Sequence, residues 1–358
     1  MKRTKIIQKF ILSLNYMILA SCVYMATNAF SDPVKIVCNT DNPKESLHVI
    51  ALEKFGELVE EYSGGRLFAQ IHYRDNEDFP AIRGEEVSIR AVMTSKILPG
   101  EKTAMHVTVV ASGNASLIVN TLEFLMLPYI FPTAESAEKL FRSEFMMKEI
   151  NQIISQSHNI RAIGCLIGGY RHMTNSKKPV KSIDDMKGLI IRTPRNRLMR
   201  DTYMAFGARV KPLNWADTFN ALKEGGIDGQ ENPYNVIYYS KFWKAKQHYV
   251  TNNGPFLWVG PILINEDFYL SLPDDLRDIV DKAAFEASEY EWNWIAQKND
   301  FYKNRLLENG MQIFELEDKA KWIEATRPLW ENYYSKIGCE DYNKGKELVD
   351  KVLSVIAK

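Results

Sequence analysis

Two arginines, Arg192 and Arg171, are the residues whose type and setting could do chemistry in this chain. Arg192 closes the apolar run Leu189-Ile190-Ile191 and is followed by Thr193-Pro194, where proline stops sheet pairing. Arg171 follows the run from Ile160 to Ile167 and its terminal Gly168-Gly169. Both fall at the carboxyl ends of expected strands, which is where open α/β sheets bind ligands. A guanidinium there stays in water, pairs with an internal acid, or pairs with a ligand carboxylate, because an unpaired buried charge is too costly. Position alone leaves the three outcomes open. Arginine presents a planar fork that matches a carboxylate, which lysine cannot reproduce. Asn232, in Asp228-Gly229-Gln230-Glu231-Asn232-Pro233, puts an amide on a tight loop. It either donates to a ligand oxygen or organises its own turn.

Covalent chemistry has no comparable set of residues. The chain contains no HExxH, CxxC, GxSxG, phosphate-cradling glycine loop or EF-hand pattern. Its six histidines, at 48, 72, 106, 158, 172 and 248, lack metal-ligand spacing. No catalytic residue, metal or cofactor is therefore expected. Cys38, Cys165 and Cys339 are widely spaced and form no disulfide framework, although one bridge among them is open.

The elements that must position these side chains alternate between strand and helix. Val34 to Val37 reads as a first strand. Leu47, Ile50, Ala51, Phe55, Leu58, Val59 and Tyr62 then recur at helical spacing until Ser63-Gly64-Gly65. Leu67, Ala69, Ile71 and Tyr73 alternate as a second strand, completing a βαβ unit of a parallel sheet. Strands are further expected at 106–111, 160–167 and 189–191, with helices over 134–154, 198–206 and from Asn214 to Gly225. The longest helical signal starts at Pro273-Asp274-Asp275 and meets no breaker before Gly310, covering about 273–308. At about 1.5 Å per residue it would be about 50 Å long, enough to bridge two lobes.

At this point a resemblance adds to the reading. The stretch from Gly168 to Phe242 resembles the substrate-binding proteins of TRAP (tripartite ATP-independent periplasmic) transporters. Gly169-Tyr170-Arg171, Asp185-Met186-Lys187-Gly188-Leu189-Ile190-Ile191-Arg192-Thr193-Pro194, Phe206-Gly207-Ala208, Asp228 to Pro233 and Ser240-Lys241-Phe242 carry it. Weaker similarity runs through Ser63-Gly64-Gly65-Arg66 and Leu127-Pro128-Tyr129-Ile130-Phe131 to the long helix. The resemblance implies a two-lobed α/β fold of the periplasmic-binding-protein type, type II-like, with a central cleft and a long C-terminal helix across both lobes. Lobe one would span 30–165, lobe two 166–254, and residues 255–358 would return to lobe one. It implies that Arg192 forms the main salt bridge to a substrate carboxylate, assisted by Arg171 and Asn232. It puts Trp215 at a cleft position, where simple helix packing is the competing reading. Asn39, on the loop expected after the first strand, and Ser112 and Asn114 would hold the rest of the ligand. The sialic-acid binders of this family carry Glu and Arg where this chain has Ala111 and Asn114, which argues against sialic acid. The segment 75–102 departs from the family pattern.

Export fits this reading. Lys2, Arg3, Lys5 and Lys9 precede the apolar stretch Phe10 to Ala20, in the order of a signal peptide over residues 1–29. Cleavage is expected after Thr27-Asn28-Ala29, or before Cys22 if Leu19-Ala20-Ser21-Cys22 acts as a lipobox; an uncleaved anchor is the third reading. Lys+Arg and Asp+Glu balance at 45 each, and removing the leader leaves a mildly acidic chain, a poor match to nucleic acid. The expectation is a monomeric periplasmic solute-binding protein that takes a sugar acid or C4-dicarboxylate and delivers it to TRAP membrane subunits. The alternatives are a ligand-binding sensor or the binding protein of an ATP-driven importer, with an exported lyase or hydrolase behind both.

Overall fold

The computed structural model describes residues 32–97 and 104–357; the expected leader with Cys22, and the end of the 75–102 segment, lie outside them. Eleven strands occur among these residues. They are β1 (Val34–Thr40), β2 (Leu67–Tyr73), β3 (Val107–Val109), β4 (Ile160–Tyr170), β5 (His172–Asn175), β6 (Ile190–Thr193), β7 (Arg209–Pro212), β8 (Gly229–Asn232), β9 (Tyr249–Thr251), β10 (Leu257–Asn265) and β11 (Gln312–Phe314). One sheet has the order β2-β1-β3-β10-β4 and the other β11-β9-β5-β8-β6-β7. The fold is therefore the two-lobed α/β architecture expected, with one sheet per lobe. Two strands break the parallel pattern: β10 runs antiparallel to β3 and β4, and β5 runs antiparallel to β8 and β9. The short β11 brings the C-terminal part of the chain back to the second sheet as well as the first.

The first βαβ unit forms as its punctuation dictates. Helix α1 (Leu47–Ser63) is capped by Ser46, whose hydroxyl accepts from the Val49 N–H at 3.3 Å, and it stops at Gly64, left-handed at φ 62°. A second helix, α2 (Glu85–Met93), follows the loop after β2. The helix expected over 134–154 is broken instead. It stops at Phe141, and Ser143 accepts from the Met146 N–H at 3.2 Å, which restarts the chain as a wider turn over Phe145–Ile150 before Asn151–His158. Serine competes for backbone groups in this way, and apolar periodicity does not register it. In the second lobe, α3 (Arg197–Ala205), α4 (Trp215–Glu224) and α5 (Tyr234–Tyr239) follow β6, β7 and β8.

The long helix α6 runs from Asp274 to Glu308 and touches both lobes. Its first half meets α1, with Tyr62 Oη donating to Glu286 at 2.5 Å, and its second half meets α5, with Tyr302 and Tyr239 hydroxyls 2.5 Å apart. Between them it covers β4, the edge strand of the first sheet. An edge leaves backbone groups unpaired, and those of β4 are taken by helix side chains. Cys165 N donates to Ser288 Oγ at 3.2 Å, Trp292 Nε1 donates to Cys165 O at 2.8 Å, and Ile167 N donates to Glu291 Oε2 at 2.9 Å. Contact is so close at Gly164 that an added Cβ would stand 2.9 Å from the backbone oxygen of Ala284.

The lobes are joined by two strand crossings that lie side by side. β4 passes into β5 through Arg171, and β9 into β10 through residues 252–256; Arg171 N donates to Phe256 O at 2.8 Å. A polar contact adds to them. Asn196, which caps α3, donates to Gly113 O at 3.2 Å and Ser116 Oγ at 3.1 Å in the first lobe. Cys38 and Cys165 are buried free thiols and Cys339 is an exposed one, so no bridge forms among the three. No helix among the described residues is long and apolar enough to cross a membrane.

Candidate ligand-binding cleft

Between the two sheets lies an open cavity of about 1100 Å³. Arg192, Arg171, Asn232 and Trp215 line it from the second lobe, and Ser112 and Asn114 from the first. Six of the seven residues expected at the site are thus brought together. Asn39 is not. It lies inside β1, which runs to Thr40 rather than ending at Val37, and it is fully buried. Its amide donates to Ser88 Oγ at 2.9 Å and accepts from the Ile82 N–H at 2.9 Å, tying β1 to the chain around α2. Asp41, Asn42 and Ser46, just beyond it, reach the cavity instead.

The two arginines differ in what answers their charge. Arg171 is bound by Glu231 of β8: its Nε donates to one carboxylate oxygen, and its Nη2 to the other at 2.8 Å and to the Glu231 carbonyl at 3.1 Å. Burial would lower its pKa, but Glu231 outweighs burial and holds it above its ordinary value. Arg192 is only 3% exposed, yet no carboxylate among the described residues lies within ion-pair distance. Its Nε and Nη2 both donate to the carbonyl of Leu213, at 3.1 and 2.7 Å, and its guanidinium carbon stands 5.6 Å from the Trp215 ring centroid. Burial, reinforced by the Arg171 charge and only partly offset by Glu231, pulls its pKa down to about 10. It remains a cation at neutral pH, held by a carbonyl dipole and an aromatic face in place of an anion.

Their neighbours are pinned. Asn232 Nδ2 donates to Gln230 Oε1 at 2.6 Å, leaving its second N–H uncommitted in that bond. Trp215 opens α4 and is 38% exposed; it lines the cavity and also packs edge-on to Phe242, with ring centroids 5.9 Å apart. Ser112 turns its hydroxyl to the sulfur of Met126 at 2.9 Å. Asn114 Nδ2 donates to Glu85 Oε2 at 2.7 Å.

Glu85 and His48 also line the cavity, and sequence reasoning missed both. Glu85 opens α2, in the segment where the family pattern fails, and His48 is the second residue of α1. The available signal for Glu85 was Gly84-Glu85-Glu86, a glycine followed by acids at a helix start.

The two sheets, the paired crossings and the helix that runs along both lobes define a two-lobed fold with a cleft between the lobes. The family model described as "Bacterial extracellular solute-binding protein, family 7" (DctP) matches residues 38–337, and the chain belongs to that family. It is similar to the C4-dicarboxylate-binding periplasmic protein DctP of Rhodobacter capsulatus, 24% identical over 88% of this chain and 91% of that protein. A TRAP periplasmic solute binding protein from Rhodobacter sphaeroides, in an open ligand-free form, is 28% identical and superposes with a TM-score of 0.76 over 90% of this chain and 98% of its own. A sugar acid binding protein from Advenella mimigardefordensis, in complex with galactonate, shares the fold at a TM-score of 0.78 and 22% identity, over 92% of this chain and 99% of its own. The chain is accordingly a solute-binding protein of the TRAP class, a class of transport proteins rather than enzymes.

Proposed function

We propose that this protein captures a small organic carboxylate between its lobes, with Arg192 as the salt-bridge partner, and delivers it to TRAP membrane subunits. The observation that carries this reading is the burial of Arg192 without an internal acid, while its neighbour Arg171 has one. A carboxylate would supply the missing charge and two-pronged acceptor. Arg171, its own charge already answered, and Asn232 assist as hydrogen-bond donors, and Trp215 flanks the site. Ser112 and Asn114 close over the ligand from lobe one. Asn39 has no part in this scheme. Closure bends the paired crossings near Arg171 and Phe256, and the ligand stabilises the closed form by bridging the lobes. The protein acts as a monomer, in the periplasm or, if Cys22 is lipidated, at the outer face of a membrane. The relatives named above bind C4-dicarboxylates in one case and galactonate in the other, which suits this ligand class.

Calorimetric titration of Arg192→Ala tests the reading. Loss of about 3–5 kcal/mol of carboxylate binding is expected for a desolvated pair, with the fold kept by circular dichroism. Unchanged affinity in the folded variant would refute it.

A further inference from the structure

The chain-wide balance of charge conceals a division between the lobes. Residues 166–254, which supply five of the six strands of the second sheet, carry fifteen Lys and Arg against seven Asp and Glu. The remainder of 30–358 carries twenty-six against thirty-eight. A cationic lobe is thus joined to an anionic body, and a charge distribution of that kind orients a molecule beside a charged surface.

Part of this positive charge is gathered on one aromatic face. The turn Phe242–Ala245 is anchored by Phe242, which is buried against Trp215 and Phe219. Lys241 and Lys246 frame the turn in the left-handed region, at φ 52° and 62°, and both are exposed, as is Lys244 between them. Trp243 packs on Tyr238 of α5 with centroids 5.6 Å apart, and Tyr238 on Phe301 of α6 at 6.5 Å, so three elements share the face. The cluster opens to solvent, because Phe301 is 47% and Tyr239 38% exposed. Lys298, three residues before Phe301, holds its Nζ 5.5 Å from that ring. None of Lys241, Lys244, Lys246 and Lys298 has an ion pair among the described residues, whereas Arg305 on the same helix is taken by Glu308. Asp300 is an exposed acid on this stretch of α6, and against four unpaired lysines the face stays positive.

We propose that this face of lobe two is a docking surface for an anionic phospholipid bilayer. Lysines attract a negatively charged leaflet and lay their methylene stems along apolar groups, while aromatic rings settle at the level of the headgroups. The composition favours lipid over a protein partner: protein interfaces are enriched in arginine and depleted in lysine, and all four cations here are lysines. The acidic remainder of the chain is repelled by the same leaflet, which turns lobe two toward the membrane. Tyr239 and Phe242 also line the cleft, so docking sets the cleft's rim beside the bilayer. The inference goes beyond solute capture and does not depend on what Arg192 holds.

The test is co-sedimentation of residues 30–358 with vesicles free of membrane protein, made of phosphatidylglycerol and phosphatidylcholine in equal parts or of phosphatidylcholine alone. At low salt the protein should partition at least tenfold more strongly onto the anionic vesicles, and about 0.5 M NaCl should abolish the difference. Lys244→Glu with Lys246→Glu should reduce that partitioning tenfold or more. The same charge change at exposed lysines outside lobe two, Lys139→Glu with Lys344→Glu, should leave it within twofold. Phe301→Ser should weaken it at least threefold with no change of charge. On the unmodified protein alone, equal partitioning onto the two vesicle types overturns the proposal, and pelleting without vesicles assigns the face to the acidic lobe of a second copy instead. Equal losses in the two double variants, or a Phe301→Ser variant that partitions like the parent, also overturn it, with circular dichroism checking that each variant is folded. Arg192→Ala should partition within twofold of the parent whether or not it binds a carboxylate; a larger loss overturns a docking face separate from the solute site.

Discussion

Arg171 and Arg192 read alike in the sequence, as guanidinium groups at the ends of apolar runs. The structure separates them by a single fact, the position of Glu231. That acid is sixty residues from Arg171 along the chain and beside it only because β8 pairs with β5. Pairing across a sheet is set by register, which composition and spacing do not encode, so position alone could nominate both arginines but not rank them, and only the family resemblance put Arg192 first. A difference in behaviour follows. Arg171→Ala strands a fully buried carboxylate and should cost about 3–5 kcal/mol of folding stability, read as a lower urea midpoint. Arg192→Ala removes a buried cation that has no acidic partner among the described residues, so its urea midpoint should hold or rise while binding is lost. Asn39 shows the opposite failure. A strand three residues longer than its apolar run carried the side chain into the sheet, away from the loop where resemblance had put it.

Element boundaries were legible where punctuation is chemical. Helix α6 begins and ends within a residue or two of the positions that Pro273, the two aspartates and Gly310 dictate. The parallel pairing of β1 and β2 was legible, but the antiparallel direction of β5 and β10 was not, because these strands are turned around by the lobe crossings rather than by anything in their own residues. The same helix carries a buried acid at its contact with β4. Glu291 is fully buried, one carboxyl oxygen accepts the Ile167 N–H, and the other has no partner. Burial holds its pKa well above the ordinary value, against the smaller opposite effect of that hydrogen bond. A carboxyl whose folded pKa is raised contributes fully below its unfolded pKa of about 4.3, and that contribution is lost as pH rises toward the folded value. Glu291→Gln should therefore melt with the parent at pH 4 and above it at pH 8. A constant offset between the two melting curves would contradict this.

At the scale of the molecule, each lobe also buries a histidine that must stay neutral. His106, in the first lobe, accepts from the Val37 N–H at 3.1 Å and stacks on Phe268, and burial aided by Lys35 brings its pKa down to about 4. His172, in the second, stacks on Tyr234, and burial together with Lys303 and Lys319 brings its pKa to about 3. Here the sign is reversed. Stability is whole above the unfolded pKa of about 6.5 and falls as pH drops from there toward 4 and 3, because the unfolded chain takes up protons that the folded one refuses. Urea midpoints should decline from pH 6.5 to 4, and the double variant His106→Gln, His172→Gln should flatten that decline even if its overall stability is lower. Between about pH 4.3 and 6.5 Glu291 and the two histidines oppose one another, and because two imidazoles outweigh one carboxyl these groups together place the stability maximum at about pH 6.5. The cleft offers one more consequence. Of seven tryptophans only Trp215 is an exposed large side chain, and its ring lies against the Arg192 guanidinium proposed as the carboxylate seat. Occupation of that charge would change the electric field at this indole, with the buried Trp258 the other tryptophan on the cavity wall, so the near-ultraviolet emission of the unlabelled protein is itself a gauge of how full the cleft is.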